Sequence, residues 1–270
     1  LPKPVIRGGA PQLIAVKQSD EQLEWTDRLI EFSNQKHGDR DGSLIGKPNM
    51  SESQQSAAML LVTNISNKLS VDLRLVDKNS PFNPDGKLAA AANVVKEEYD
   101  KSSGIKGTQL IFSDIGTPKS GRVMDDLQSF LEDELNVSND DINLIFGEAN
   151  DEGKRPSRSI SKIKENIKEI LEYTDSQIDQ IIQDSKGSKD DFNAYSELRR
   201  LLIQHGIPES EIAFIHDYKT KKQREKLFKA VNEGSIRVVI GSTQKLGTGV
   251  NIQQRIVALH HIDAKWNPAD

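Results

Sequence analysis

The chain of 270 residues contains no cysteine. Disulfide bonds and thiolate metal sites are therefore excluded, and the composition suits a reducing compartment, so we expect a cytoplasmic protein. Apolar runs long enough to span a bilayer are also missing, which predicts a protein without membrane contact.

Aromatic side chains are scarce, and acidic residues outnumber basic ones. Aromatic residues make up 5% of the chain and the net charge is -5. The few aromatic residues predict a mainly aliphatic core. The acidic balance argues against a protein whose whole surface binds nucleic acid, but it leaves room for a local basic patch.

The richest pattern is a loop of small residues between two apolar strands, which we predict at residues 238–240 and 256–262. Three glycines let this loop turn sharply and let a ligand approach its backbone: Gly241, Gly247 and Gly249. The hydroxyls of Ser242 and Thr243 suit phosphate or sugar oxygens. Because the loop leaves the end of a buried strand, it predicts a ligand site at the carboxyl edge of a parallel sheet.

Strands and helices alternate through much of the second half of the chain. Apolar segments predict strands at 108–113 and 212–215, and helical periodicity predicts helices at 191–205 and 219–232. Fully apolar strands joined by helices are typical of a parallel sheet covered on both faces. With the two strands above, the sequence predicts a four-stranded α/β fold with right-handed crossovers.

The first 106 residues predict a mainly helical extension. Two capping-box patterns begin helices at 19–37 and 51–68, and an alanine-rich helix is predicted at 87–101. A short strand is predicted at 13–16. Gly46-Lys47 is rejected as a phosphate loop because the earlier glycine and the following Ser or Thr of that motif are absent.

Residues 117–190 interrupt the alternation as a charged helical insertion. Apolar residues at helical spacing predict helices at 159–173 and 175–184, and an earlier helix beginning near Met124. Two interpretations remain open: a solvated helical subdomain that decorates the sheet, or a dedicated contact for DNA or a protein partner. The mixture of charge signs favours the first.

Residues 242–251 match S-T-x-x-x-G-x-G-x-N without a gap, and Trp266-Asn267-Pro268 follows. This pattern resembles motif V of superfamily 2 helicases, and most of all that of the Swi/Snf-like translocases, which carry a W-N-P before motif VI. The resemblance implies that residues 107–270 are a C-terminal RecA-like lobe, with the P-loop NTPase type of parallel sheet, interrupted by the insertion at 117–190.

Two further segments extend the resemblance. Residues 108–114 are similar to motif IV, a strand that ends in Phe-Ser. Residues 215–234 are similar to the segment called motif IVa or Va, in which Gln223, Arg224 and Phe228 match while Val231 departs from the pattern.

Over most of its length outside 119–190, the chain resembles the large methylase–helicase fusion proteins of phages and conjugative elements. The resemblance is carried by four segments: 72–75, 107–119, 205–217 and 241–253. It implies ATP-dependent action on DNA, with double-stranded DNA as the expected partner. It also implies an adenine methylase elsewhere in the polypeptide.

The family's site residues carry over by position. Contact with DNA is implied for Ser113, Asp114, Ser242, Thr243, Lys221, Lys222 and Arg224. Contact with ATP is implied for Gly247, Gly249, Asn251 and Lys245. For the lysines the competing interpretation is an ordinary solvated helix face, and for Arg224 it is a structural ion pair.

The resemblance also implies what the chain needs from elsewhere. Walker A and Walker B belong to an N-terminal RecA-like lobe of the same parent chain, and the motif VI arginines would follow Asp270. ATP and Mg²⁺ are therefore expected only in the intact parent, and we predict that this fragment alone does not hydrolyse ATP. The rival hypothesis is a degenerate lobe that acts as a protein-interaction scaffold.

Two histidines and a tryptophan are predicted to be structural. His260 and His261 are adjacent in a strand and point to opposite faces, so they cannot bind one metal ion together. Trp266 is predicted to anchor the loop that leads to motif VI.

Overall fold

The computed structural model describes residues 10–150, 152–247 and 252–263. Its strands are β1 (Thr108–Phe112), β2 (Ile212–Phe214), β3 (Val238–Gly241) and β4 (Ile256–His261). Its first helices are α1 (Asp20–Asn34), α2 (Glu52–Ser56), α3 (Ala58–Val71) and α4 (Lys87–Lys101). The later helices are α5 (Val123–Ser129), α6 (Asn139–Phe146), α7 (Ile160–Leu171), α8 (Asp175–Ser185), α9 (Ala194–Gln204), α10 (Lys221–Glu233) and α11 (Thr243–Gly247).

The four strands form one parallel sheet in the order β2-β3-β1-β4. Leu110 in β1 is paired with Val239 in β3 and with Leu259 in β4. β1, β2 and β3 are buried throughout, whereas β4 lies at the sheet edge and leaves Leu259 55% exposed. The predicted α/β fold with a RecA-like parallel sheet is confirmed.

Alternate side chains of the strands pack into two layers of helices. Ile111 and Ile240 point into a core closed by α4 and α9, where Tyr195 is fully buried. Leu110 and Val239 point to the other face, which is covered by α10 and α11. Burial on both faces explains why these strands are continuously apolar rather than alternating with polar residues.

The insertion folds into a helical subdomain, which we define as residues 123–185. Its helices α5 to α8 and a π-helix at Phe130–Glu134 surround a separate apolar core that includes Phe130, Ile145 and Ile181. Leu60 of α3 packs against this core. The subdomain is therefore more than a solvated decoration, because it joins the N-terminal helices to the sheet.

Four local predictions were wrong in detail. The predicted helix at 51–68 is divided at Ala57 into α2 and α3. Residues 13–16 have no regular structure instead of forming a strand. α6 was not anticipated, and the first part of the expected loop after β3 is the short helix α11.

Candidate functional site

The carboxyl ends of the four parallel strands bring distant polar residues to one edge of the sheet. Asp114 follows β1, His216 follows β2, Ser242 follows β3 and Asp263 follows β4. The crossovers place all four strand ends at the same edge, which is where open parallel sheets bind ligands. This edge is the candidate site, and α11 lies at its centre.

Asp114 holds the first residue of α11. Its Oδ1 accepts the backbone N–H of Thr243 at 2.6 Å, and its Oδ2 accepts the Thr243 hydroxyl at 2.9 Å. These bonds satisfy a donor that a helix leaves without a partner inside its first turn. The motif IV-like and motif V-like segments are therefore joined through Asp114 and Thr243.

The other end of α11 packs over Gly241. A side-chain carbon at Gly241 would lie 2.5 Å from Ile215 and 2.6 Å from Leu246, both of which are buried. Glycine is needed here because Leu246 occupies the space that any larger residue would take.

Lys245 projects from α11 between two acidic side chains of the helical subdomain. Its Nζ lies 3.3 Å from Glu132 Oε2 and 3.2 Å from Asp133 Oδ2. The ring of His216 completes the cluster, with its Nε2 at 3.1 Å from the same Asp133 oxygen. We call Glu132, Asp133, His216 and Lys245 the buried ionic cluster.

Charge pairing outweighs burial in this cluster. Burial alone would raise the pKa of Asp133, but the nearby Lys245 and His216 hold it well below its usual range. Burial lowers the pKa of Lys245, but Asp133 and Glu132 overcome that effect and raise it. Burial, followed by the charge of Lys245, lowers the pKa of His216. Asp133 is thus an ionised carboxylate and Lys245 an ammonium, beside a neutral imidazole.

Asp263 has the opposite electrostatics. Its Oδ2 accepts the backbone N–H groups of Asp114 and Ile115 at 2.8 and 2.7 Å. Burial, with a further contribution from the Asp114 charge, raises the pKa of Asp263 to about 7 despite these bonds.

The structure places the predicted DNA contacts at different depths. The side chains of Ser113 and Ser242 are fully buried, and the Ser113 hydroxyl donates to the carbonyl of Ile115 at 3.0 Å. The Ser113 hydroxyl is thus already bonded within the fold, and its contact with DNA stays a prediction. Asp114 is 9% exposed and Thr243 is half-buried.

The basic residues of α10 lie further out. Lys221 and Lys222 are exposed at its first turn, while Arg224 is half-buried and its Nε donates to the carbonyl of Tyr218 at 3.1 Å. Arg224 thus has a structural role in addition to the contact predicted for it.

The predicted ATP contacts are described only in part. Gly247 is exposed at the end of α11. Gly249 and Asn251 lie outside the described residues, as does Trp266. Lys245, predicted as a phosphate contact, faces carboxylates instead, with its side chain 16% exposed.

The two adjacent histidines of β4 make separate contacts. His260 Nε2 lies 2.8 Å from Gln109 Oε1, and the His261 ring stacks on Phe112 at 4.8 Å between centroids. Burial, followed by the charge of His261, lowers the pKa of His260 to about 4.

Sequence reasoning missed Glu132, Asp133, His216 and Asp263 as residues of this edge. A weak signal existed for Glu132 and Asp133, because both interrupt an apolar helical stretch next to Phe130 and Leu131. Their partner Lys245 lies 112 positions beyond Asp133, so local pattern could not connect them.

Comparison with known proteins agrees with this geometry. Residues 161–270 match the family model described as the helicase conserved C-terminal domain. The match begins within the helical subdomain and continues through β2, β3 and β4. Together with the parallel sheet, it supports a C-terminal helicase lobe.

A curated relative points the same way. The chain is 25% identical over 180 residues to the ATP-dependent DNA helicase Hel308 of Thermoplasma volcanium, an alignment that covers 67% of this chain. The alignment covers 25% of that relative, so this chain spans about a quarter of its length. No solved structure matches the chain. Among the described helices, none is long and apolar enough to cross a bilayer.

Proposed function

We propose that this chain is the second motor lobe of an ATP-dependent DNA helicase or translocase. It contributes half of an ATP cleft and part of a DNA groove to a parent protein that also carries an N-terminal RecA-like lobe. The observation that carries the proposal is the motif V-like segment at the carboxyl edge of a parallel sheet, where Asp114 ties it to the motif IV-like segment. The helicase family match over residues 161–270 supports it.

The residues divide between the two ligands. Gly247, Gly249 and Asn251 contact ATP, which binds with Mg²⁺ at the interface between the lobes. Lys245 stays a predicted phosphate contact. The residues that contact DNA lie at the strand ends and at the start of α10: Ser113, Asp114, Ser242, Thr243, Lys221, Lys222 and Arg224. Double-stranded DNA is the expected substrate, and the methylase–helicase fusion proteins are the expected subtype.

The lobe alone does not hydrolyse ATP in this proposal, because a second lobe supplies the phosphate loop and the Mg²⁺-binding carboxylates. The test is DNA-stimulated hydrolysis by the 270-residue chain, which is expected at background level. Hydrolysis that is lost on Thr243→Val would contradict this division of labour.

DNA binding by the chain is the second test. Fluorescence anisotropy with a labelled duplex at low salt is expected to give weak binding, and Lys221→Gln with Lys222→Gln is expected to lower both the affinity and its salt dependence. The matched control is Lys164→Gln with Lys168→Gln, which removes the same charge from exposed positions on α7. Equal losses in the two pairs would mean that only net charge matters and that α10 has no groove contact.

The alternative function is a protein-interaction scaffold built on a degenerate lobe. The separate core of the helical subdomain and its contact with Lys245 favour it. A parent reading frame without Walker motifs upstream of this lobe would support the scaffold, and complete motifs there would support the motor.

A further inference from the structure

The helical subdomain contacts α11 through two neighbouring residues of that helix. Lys245 Nζ lies within ion-pair distance of Glu132 and Asp133, and Gln244 Nε2 donates to the carbonyl of Val137 at 2.6 Å. The acidic pair and Val137 belong to one short stretch of the subdomain, the π-helix and the turn that follows it. One piece of the subdomain therefore holds two consecutive side chains of α11.

The ionic contact is deeply buried. The side chain of Asp133 is fully buried, that of Glu132 is 8% exposed and that of Lys245 is 16% exposed. His216, at the end of β2, adds a hydrogen bond to Asp133 from a third element. Buried charges of this kind are tolerated only when they are paired, so any movement of Lys245 away from the pair leaves carboxylates uncompensated.

The subdomain is itself held in place from the opposite side. Asn64 of α3 donates to Asp184 at 2.9 Å, and Lys68 lies 3.7 Å from Glu134, the residue after Asp133. The π-helix thus lies between the N-terminal helices and α11, with successive acidic residues paired in different directions.

We propose that Glu132 and Asp133 are positioning residues that fix α11, and with it the start of the glycine-rich loop, to the helical subdomain. Lys245 is the internal counter-ion of this contact. The subdomain thereby sets the conformation of α11, whose last residue, Gly247, is one to which the motor interpretation assigns ATP. The link between this contact and ATP rests on the proposed function, but the contact itself requires neither ATP nor DNA.

Hydrogen–deuterium exchange on the 270-residue chain tests the proposal. The backbone N–H groups of Lys245 and Leu246 both bond to the carbonyl of Ser242, so they report on α11 directly. Asp133→Asn is expected to accelerate their exchange about tenfold or more, because the neutral amide no longer holds the ammonium. Exchange within β3 is expected to stay unchanged, which separates loss of local positioning from general destabilisation.

Glu134→Gln is the matched control. It alters the next acidic residue of the same π-helix, which pairs with Lys68 and Lys119 and not with α11. The control is expected to leave α11 exchange unchanged. Lys245→Arg, which keeps the positive charge, is expected to retain slow exchange, whereas Lys245→Gln is expected to lose it.

Three results would overturn the proposal: unchanged α11 exchange in Asp133→Asn, equal acceleration in Glu134→Gln, or acceleration in β3 as large as in α11. If Asp133→Asn alone does not fold, the double variant Asp133→Asn with Lys245→Gln removes both charges and must still show fast α11 exchange. None of these exchange results affects the DNA-binding test on α10. The positioning role and the motor role can therefore fail separately.

Discussion

Two acidic pairs lie close to α11, and the pKa of one carboxylate in each pair is shifted in opposite directions. Glu132 and Asp133 have the Lys245 ammonium between them, and the pKa of Asp133 is held well below its usual range. Asp263 faces the carboxylate of Asp114 across two backbone N–H bonds, and its pKa is raised to about 7.

The difference shows that burial does not decide the charge state of a carboxylate. Burial acts to raise the pKa of both Asp133 and Asp263, and an ammonium 3.2 Å from Asp133 reverses that effect there. The cation is supplied by α11, so the conformation of this helix governs the electrostatics on one side of it.

Removal of the Lys245 ammonium is expected to have the largest effect on stability. Lys245→Met leaves two buried carboxylates without their counter-ion, and we expect a loss of about 3–5 kcal/mol in the free energy of unfolding. Urea unfolding measures it. Lys164→Met is the matched control, because Lys164 pairs with Asp179 where both side chains are over 40% exposed, and about 0.5 kcal/mol is expected there. Similar losses in the two variants would show that the ionic cluster contributes no more than a surface pair.

The second prediction concerns Asp263 and pH. Its pKa is about 7 in the folded chain, well above the 3.8 that is usual for an aspartate, so the unfolded chain loses this proton first as pH rises. The stability that depends on the protonated form is complete below about pH 4 and is lost as pH rises through 7. Wild type is therefore expected to lose on the order of 4 kcal/mol over that window relative to Asp263→Asn, at about 1.4 kcal/mol for each pKa unit.

Urea unfolding of both proteins at several pH values between 4 and 7.5 gives that difference directly. The comparison between variants matters because His260, whose pKa is lowered to about 4, makes stability change with the opposite sign in the same window. Asp39→Asn, at an exposed site, serves as the control. A difference between wild type and Asp263→Asn that does not vary with pH would refute the raised pKa.

The smallest expected loss of stability concerns the hydrogen bond between Thr243 and Asp114. Thr243→Val removes the hydroxyl that donates to Asp114 Oδ2 but keeps the backbone bond to Oδ1. We expect a loss of about 1–2 kcal/mol in the free energy of unfolding, since the lost bond has a charged acceptor. Thr63→Val, whose exposed hydroxyl bonds to the carbonyl of Met59, is expected to change stability little. A result in which both variants lose equally would assign the effect to the valine side chain and not to Asp114.

Much of the fold could be predicted because its signals are local. The alanine-rich segment at 87–101 forms α4 with those bounds, and the apolar segment at 238–240 becomes β3 with one further residue. The break at Ala57 could not be predicted, since nothing in the sequence from Ser51 onward interrupts helical propensity. That helix is divided where Gln55 turns inward to bond with Arg40.

Only those parts of the candidate site that are continuous in the sequence could be predicted. The motif V-like and motif IV-like segments were found from their residue order, and the structure places both at one sheet edge. Asp133 was not predicted, because an acidic residue in a charged helical stretch looks like any solvated residue. Asp263 was not predicted, because its backbone partners at Asp114 and Ile115 lie 149 and 148 positions away. The interpretation of 117–190 as a solvated subdomain stays open, because most of its described charged residues are exposed or half-buried while Glu132 and Asp133 are buried beside a distant lysine.

The sequence by itself determined the parallel sheet, most of the helices and the loop of small residues, because apolar periodicity and glycine act over a few residues. Only the tertiary structure decided which charges are buried together. Lys245 meets Asp133 across 112 positions because the helical subdomain folds over the sheet edge, and the energy of that pair depends on exclusion of water, which no local pattern encodes.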